Sequence, residues 1–205
     1  MKNNLFFRRL FAYLLDILLI SLVFGLIMSF IPQSENSKKL SLEQQTITSD
    51  FIEDRMEAKE FVNRSLEIGY DQAKEEIPLV LLNIAGMILY FVVFQAYNHG
   101  QTIGKKLVKL KVVGHHKKQL NLNDYLKRAI IVPPILCNLF DLILLMFASK
   151  EIYLTSNLLL TAVQILLLLI AGFMVIYRKD TRGLHDLIAD TRVVLEKGDV
   201  KSENV

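Results

Sequence analysis

The residues best placed to do chemistry are acids inside apolar runs. Leu10 to Ile31 is a stretch of 22 residues with one charge, Asp16. An acid inside such a helix costs on the order of 3 kcal/mol on insertion scales, so something must offset it. Arg9 stands seven residues earlier, two helical turns, on the same face. Two readings stay open for Asp16. It is either a structural acid, ion-paired or hydrogen-bonded to lock helices together, or an ion or proton site. A second acid, Asp141, shares a helical face with Asn138. Asn83 and Gln164 are the deep polar residues of two further apolar runs. At a rise of 1.5 Å per residue Asp141 comes out about 18 Å along its run, with Asn83 and Gln164 at comparable depth. Polar side chains in lipid seek each other, so these residues predict one polar layer. Asp16, Asn83, Asn138, Asp141 and Gln164 are thus candidates for an intramembrane site or for plain structural glue.

The other reactive side chains point to no catalysis. His185 adjoins Asp186, but neighbours on a helix diverge by about 100°, and no nucleophile accompanies them at useful spacing. His115 and His116 fall on different sides of any regular element, which disfavours a shared metal. Cys137 is the single cysteine and lies in an apolar stretch, so one chain can form neither a disulfide framework nor a cysteine metal site. No enzyme activity, cofactor or metal is expected.

Positioning these residues takes long helices. The chain has 205 residues, 52% of them hydrophobic, no Trp, and a mean hydropathy of +0.35. Its apolar residues come in blocks, and roughly 20 apolar residues cross a bilayer as a helix. Four spans are predicted, at about 10–31, 77–97, 129–148 and 157–177. Pro78 is tolerated in a first turn, and Pro133-Pro134 should kink or break the third span. The first run is too long for a signal peptide and lacks a small-x-small site after it, so it reads as an uncleaved anchor.

Charge sets the predicted orientation. Residues 32–76 carry six Lys/Arg against eleven Asp/Glu, whereas 98–128 carry eight against one. The positive-inside rule then puts both termini and 98–128 in the cytosol of a cell-membrane protein, with 32–76 and 149–156 outside. The acidic insertion should be helical, starting near Asp50 and Glu53 as in a capping box. Phe51, Ile52, Met56, Val62, Leu66 and Tyr70 would share one of its faces. It is a candidate docking surface for an extracytoplasmic protein. The basic loop lacks the aromatic platform that nucleic-acid binding would need, so lipid headgroups are its expected partner. Within it, residues 107–113 read as a short strand, free to pair with Thr191 to Leu195. Asn121 or Asn123 should cap a helix from Leu122 to Arg128, and Leu184 to Ile188 forms another short helix. The tail, 196–205, is polar and expected to be mobile. The fold class is therefore all-α, a polytopic four-helix transmembrane bundle with a small cytosolic strand pair and an extracytoplasmic helical insertion.

Several of these motifs together resemble the RDD (Arg-Asp-Asp) family of membrane proteins. They are Arg9 with Asp16, Gly100-Gln-Thr102-Ile-Gly104-Lys105, Arg128, and Arg182-Gly-Leu-His185-Asp186 followed by Thr191. The resemblance makes Arg9 and Asp16 the signature arginine and first aspartate, and Asp186 the second. It covers residues 1–195 apart from the insertion, which is long for the family. It implies transport of unidentified ligands or ions, here proton or cation coupling through a homo-oligomer. The competing reading is a scaffold or accessory protein whose insertion docks a partner.

Overall fold

The computed structural model of the chain describes residues 2–116, 119–131 and 135–196. Helix α1 (Lys2–Phe30) is followed by α2 (Glu35–Ile52), α3 (Ala58–Glu75) and α4 (Ile77–Ile88). A π-helical stretch, Leu89–Phe94, continues α4 into the short α5 (Gln95–Tyr97). Then come α6 (Ile103–Leu107), β1 (Leu110–Gly114), α7 (Leu122–Ala129), α8 (Ile135–Phe147), α9 (Lys150–Tyr177), α10 (Leu184–Ile188) and β2 (Thr191–Leu195).

Among the described residues three helical stretches are long and apolar enough to cross a membrane: Leu5–Phe30, Ile77–Tyr97 and Lys150–Tyr177. Large apolar side chains such as Leu14, Leu18, Leu22, Leu158 and Leu166 are exposed along them, as lipid-facing residues would be. The expected third span, 129–148, is not one helix of that length. Helix α7 ends at Ala129, and α8 has 13 residues, about 20 Å of rise against a hydrocarbon core of about 30 Å. The break expected at Pro133-Pro134 lies outside the described residues, as does the tail from residue 197. The last span begins at Lys150, seven residues before its expected start.

The chain divides into two compact units. The first comprises Met1–Val23, Ala85–Leu136 and Gln164–Val205. At its centre β1 and β2 pair antiparallel, with Leu110 opposite Leu195, Val112 opposite Val193 and Gly114 opposite Thr191. Strand alternation sends Leu110, Val112, Thr191 and Val193 inward. Lys109 and Asp190, one residue before each strand, adopt left-handed φ values of 56° and 49°. Their carbonyls accept the Glu196 and His115 N–H groups, closing both ends of the ladder. Asn121 caps α7 through a capping box with Asp124, the first of the two candidates.

The second unit comprises Phe24–Ile84 and Cys137–Val163. Its insertion is a helical hairpin, and the predicted helix start at Asp50 is instead a helix end. Ser34 caps α2 by accepting Ser37 N–H at 3.0 Å. At the far end Arg55 N–H bonds Asp50 O and Asp54 N–H bonds Phe51 O, the Schellman pattern, with Asp54 at φ 60°. This turn breaks the helical phase on which the predicted apolar face depended. Ile52 is 76% exposed, Phe51, Val62 and Leu66 are also exposed, and the buried residues are Ile47, Ile68 and Tyr70. Tyr70 packs with Leu145 and Tyr153, its ring 5.3 Å from that of Tyr153.

Candidate functional site

Among the described residues of the first unit three carboxylates are buried: Asp124, which caps α7, and Asp16 and Asp186, at 1% and 0% exposure. Asp16 collects neutral donors. Tyr90 and Thr102 each donate a hydroxyl to it at 2.6 Å, and Gly104 donates its backbone N–H at 2.7 Å. Tyr90 comes from the π-helical stretch, and such stretches commonly re-aim side chains at functional sites. The same groups cap α6. Ile103 N–H bonds the Tyr90 hydroxyl at 3.1 Å, Gly104 N–H bonds Asp16, and Lys105 N–H bonds the Thr102 hydroxyl at 3.3 Å. The first N–H groups of a helix lack intrahelical acceptors, and here each has a side chain.

Two glycines make this approach possible. A Cβ on Gly104 would collide with the Ala12 carbonyl and the Asp16 carboxylate. Gly100 holds φ +87°, and a Cβ there would press on Val112 O. Gly100 O accepts Val112 N–H at 3.1 Å and Gln95 Nε2 at 3.2 Å, fixing the loop to β1.

Asp186 collects charged donors. Arg9 Nη1 reaches its Oδ2 at 2.9 Å, and Arg128 Nη1 bonds its Oδ1 and also Thr191. Gly183 N–H adds a bond at 3.1 Å. Burial pushes the Asp186 carboxyl up, but the Arg128 and Arg9 guanidiniums outweigh it and hold the group below the usual carboxylate range. Neighbouring His185 is pushed down to about 3, first by burial and then by repulsion from Arg128 and Arg9 against the pull of Asp186. It is a neutral ring at pH 7.

Arg9 bonds Asp186 and not Asp16. Seven residues are about 10 Å of rise, beyond the one-turn reach of side-chain pairs on a helix. Sharing a face is not contact. Arg182 pairs with Asp180 at 3.5 Å and Asp190 at 3.9 Å.

A cavity of about 320 Å³ opens beside these groups, lined by Arg9, Asp16, Lys105, Arg128 and His185 and otherwise mostly by apolar residues. Among the described residues the Lys105 ammonium forms no hydrogen bond or ion pair. Burial, and then repulsion from Arg128, lower it from 10.5 to about 7 against the attraction of Asp16 and Asp186.

Of the expected polar layer, Asn83, Asn138 and Asp141 line a cavity of about 250 Å³ in the second unit together with Glu76, while Asp16 and Gln164 belong to the first unit. Asp141 accepts Asn157 Nδ2 at 2.7 Å and the Tyr153 hydroxyl at 3.5 Å, not Asn83 or Gln164. Tyr90, Tyr153 and Asn157 were missed as partners. Each acts from an apolar helix, where a single polar group gives no sign of which acid it will meet. Among the described residues no group of three or more His, Cys, Asp or Glu could hold a metal.

Three membrane-length helices among the described residues, with a two-stranded ladder and the buried Asp16 and Asp186, mark a helical membrane protein. The model of the RDD family matches residues 4–190, and the chain belongs to that family. No curated protein and no solved structure matches it.

Proposed function

We propose that the chain is a transport protein in which a proton exchanged at Lys105 is coupled to occupancy of the cavity beside it. One observation carries this reading. Lys105 faces the cavity without an ion pair and titrates at about 7, so its charge changes near neutral pH. Asp16, the sequence's candidate for proton exchange, is saturated by three donors and serves to hold α6. A metal cation is a poor cargo for this cavity, whose wall carries Arg9, Arg128 and Lys105. The test is proton flux in proteoliposomes, read with a pH-sensitive dye under an imposed gradient. Wild type should conduct and Lys105→Gln should not, at equal melting temperature. Equal flux in both proteins would remove Lys105 from the mechanism.

The same reading puts the protein in the cell membrane as a homo-oligomer, with both termini and 98–128 in the cytosol. Ser41→Cys in a Cys137→Ser background should then label with an impermeant reagent on intact cells. Labelling of Lys117→Cys would reverse the orientation. A second reading, an accessory protein, draws support from Leu42, Ile52 and Val62, which are apolar and exposed on the helical hairpin. Deleting residues 36–74 with flux intact and partners lost on co-purification would favour it.

A further inference from the structure

The cavity beside Lys105 is lined by the charged or polar Arg9, Asp16, Lys105, Arg128 and His185 and by apolar residues that include Phe6, Leu10, Leu168, Ala171 and Val175. At about 320 Å³ it falls within the range of about 300–1,000 Å³ typical of small-ligand pockets. Its charges do not balance. Arg9 and Arg128 share Asp186, Asp16 accepts only neutral donors, and a protonated Lys105 leaves one positive charge in excess.

The charges select an anion. Arg9 and Arg128 share Asp186, which leaves Lys105 as the cation of this lining without a partner, a single point charge that suits a singly charged head. The rest of the lining is mostly apolar, which suits a long hydrocarbon tail.

We propose that this cavity binds a long-chain carboxylate, with Lys105 on its head and the apolar lining along its tail. The proposal rests on the cavity being the occupied site of the transport reading, and it names the ligand class. Lys105 faces Arg9 and Asp16 from α1, Arg128 from α7, and His185 and Asp186 from α10. Its loss of a proton above about pH 7 should weaken binding.

The experiment uses the purified full chain in phosphatidylcholine nanodiscs. Oleate, methyl oleate, acetate and phosphatidylglycerol are offered separately, and the bound molecule is read by native mass spectrometry. Wild type should hold one oleate per chain and neither methyl oleate nor acetate. Losing a charge-assisted hydrogen bond weakens binding about ten- to hundredfold, which is the expectation for Lys105→Gln. Lys105→Arg should keep oleate at pH 8.5, where wild type weakens. That contrast removes the titration of oleate itself. Gly172→Leu, whose first added carbon meets nothing nearer than Phe6 at 3.9 Å, fills the apolar end and should weaken oleate without touching a charge. Melting curves identify variants that fail to fold. Methyl oleate held as tightly as oleate, phosphatidylglycerol held in preference, or unchanged binding in folded Lys105→Gln would each overturn the proposal. Oleate binding without proton flux would remove the coupling and keep the ligand. Flux without oleate binding would do the reverse.

Discussion

Asp16 and Asp186 are buried to the same degree in the same unit and are neutralised in opposite ways. Asp186 sits between two guanidiniums, with Thr191 and the Gly183 N–H as further donors. Asp16 has no cation bonded to it and instead accepts two hydroxyls and a backbone N–H. A carboxylate held by charge organises whatever carries the charge, here α1, α7 and α10. A carboxylate held by short neutral donors organises backbone, and Asp16 fixes the first turn of α6 and, through it, the position of Lys105. The contrast suggests that a buried acid should be read through its donors rather than through the charges nearest in sequence.

The largest effect should come from Asp186→Asn. It leaves Arg9 and Arg128 buried without their counter-charge, and breaking a buried pair from one side costs about 3–5 kcal/mol. A large fall in melting temperature in detergent is expected, and a shift no larger than that of the exposed control Glu53→Gln would break the comparison. Next comes Asp16→Asn. The amide oxygen cannot accept all three donors, and one unsatisfied buried group costs about 1–3 kcal/mol. The fall should therefore be intermediate, and Tyr90→Phe, which removes one donor, should fall less. An Asp16→Asn protein as damaged as Asp186→Asn would mean that charge matters equally at both sites.

Acid should separate the two centres further. His185 stays neutral in the folded chain down to about pH 3, while the unfolded chain binds its proton near 6.5. The unfolded state thus holds the extra proton between those values, and stability falls as pH drops from about 6.5 toward 3. Thermal melts at pH 7 and 4.5 should show a smaller acid loss for His185→Gln than for wild type. The smallest stability effect is expected from Lys105→Gln at pH 7, because its ammonium holds no partner. A collapse of this variant would make Lys105 structural and undo the assignment of its role.

What was legible in the sequence was mostly local. Asn121 as a cap, Thr191 to Leu195 as a strand and Leu184 to Ile188 as a helix follow from residues within one turn of each other. The motif residues Thr102, Gly104, Arg128 and Asp186 were also picked out, since their spacing resembled the family's. The resemblance grouped Arg9 with Asp186, but nothing in the spacing around Arg9 announces an acid 177 positions away. The insertion failed for a different reason. Asp50 and Glu53 look like a helix start, but the same acids suit a helix end, where Asp50 accepts Arg55 Nη2 at 2.7 Å. Asp54 then takes the left-handed conformation usually left to glycine. Periodicity carried across that turn placed Phe51 and Ile52 on one face with Val62, Leu66 and Tyr70, whereas the turn divides them between α2 and α3.

The pairing of Arg9 with Asp186 also has a consequence for biosynthesis. A ribosome makes the arginine near the start and its counter-charge 177 residues later, and Arg128 waits for the same acid across 58 residues. At about 5–20 residues per second, Arg9 spends on the order of ten seconds or more without it. Strand β2 is made later still. The polar junction is thus a late event, closed only after every membrane-length helix has been synthesised, and a nascent chain halted before residue 186 would hold both arginines with nothing to neutralise them.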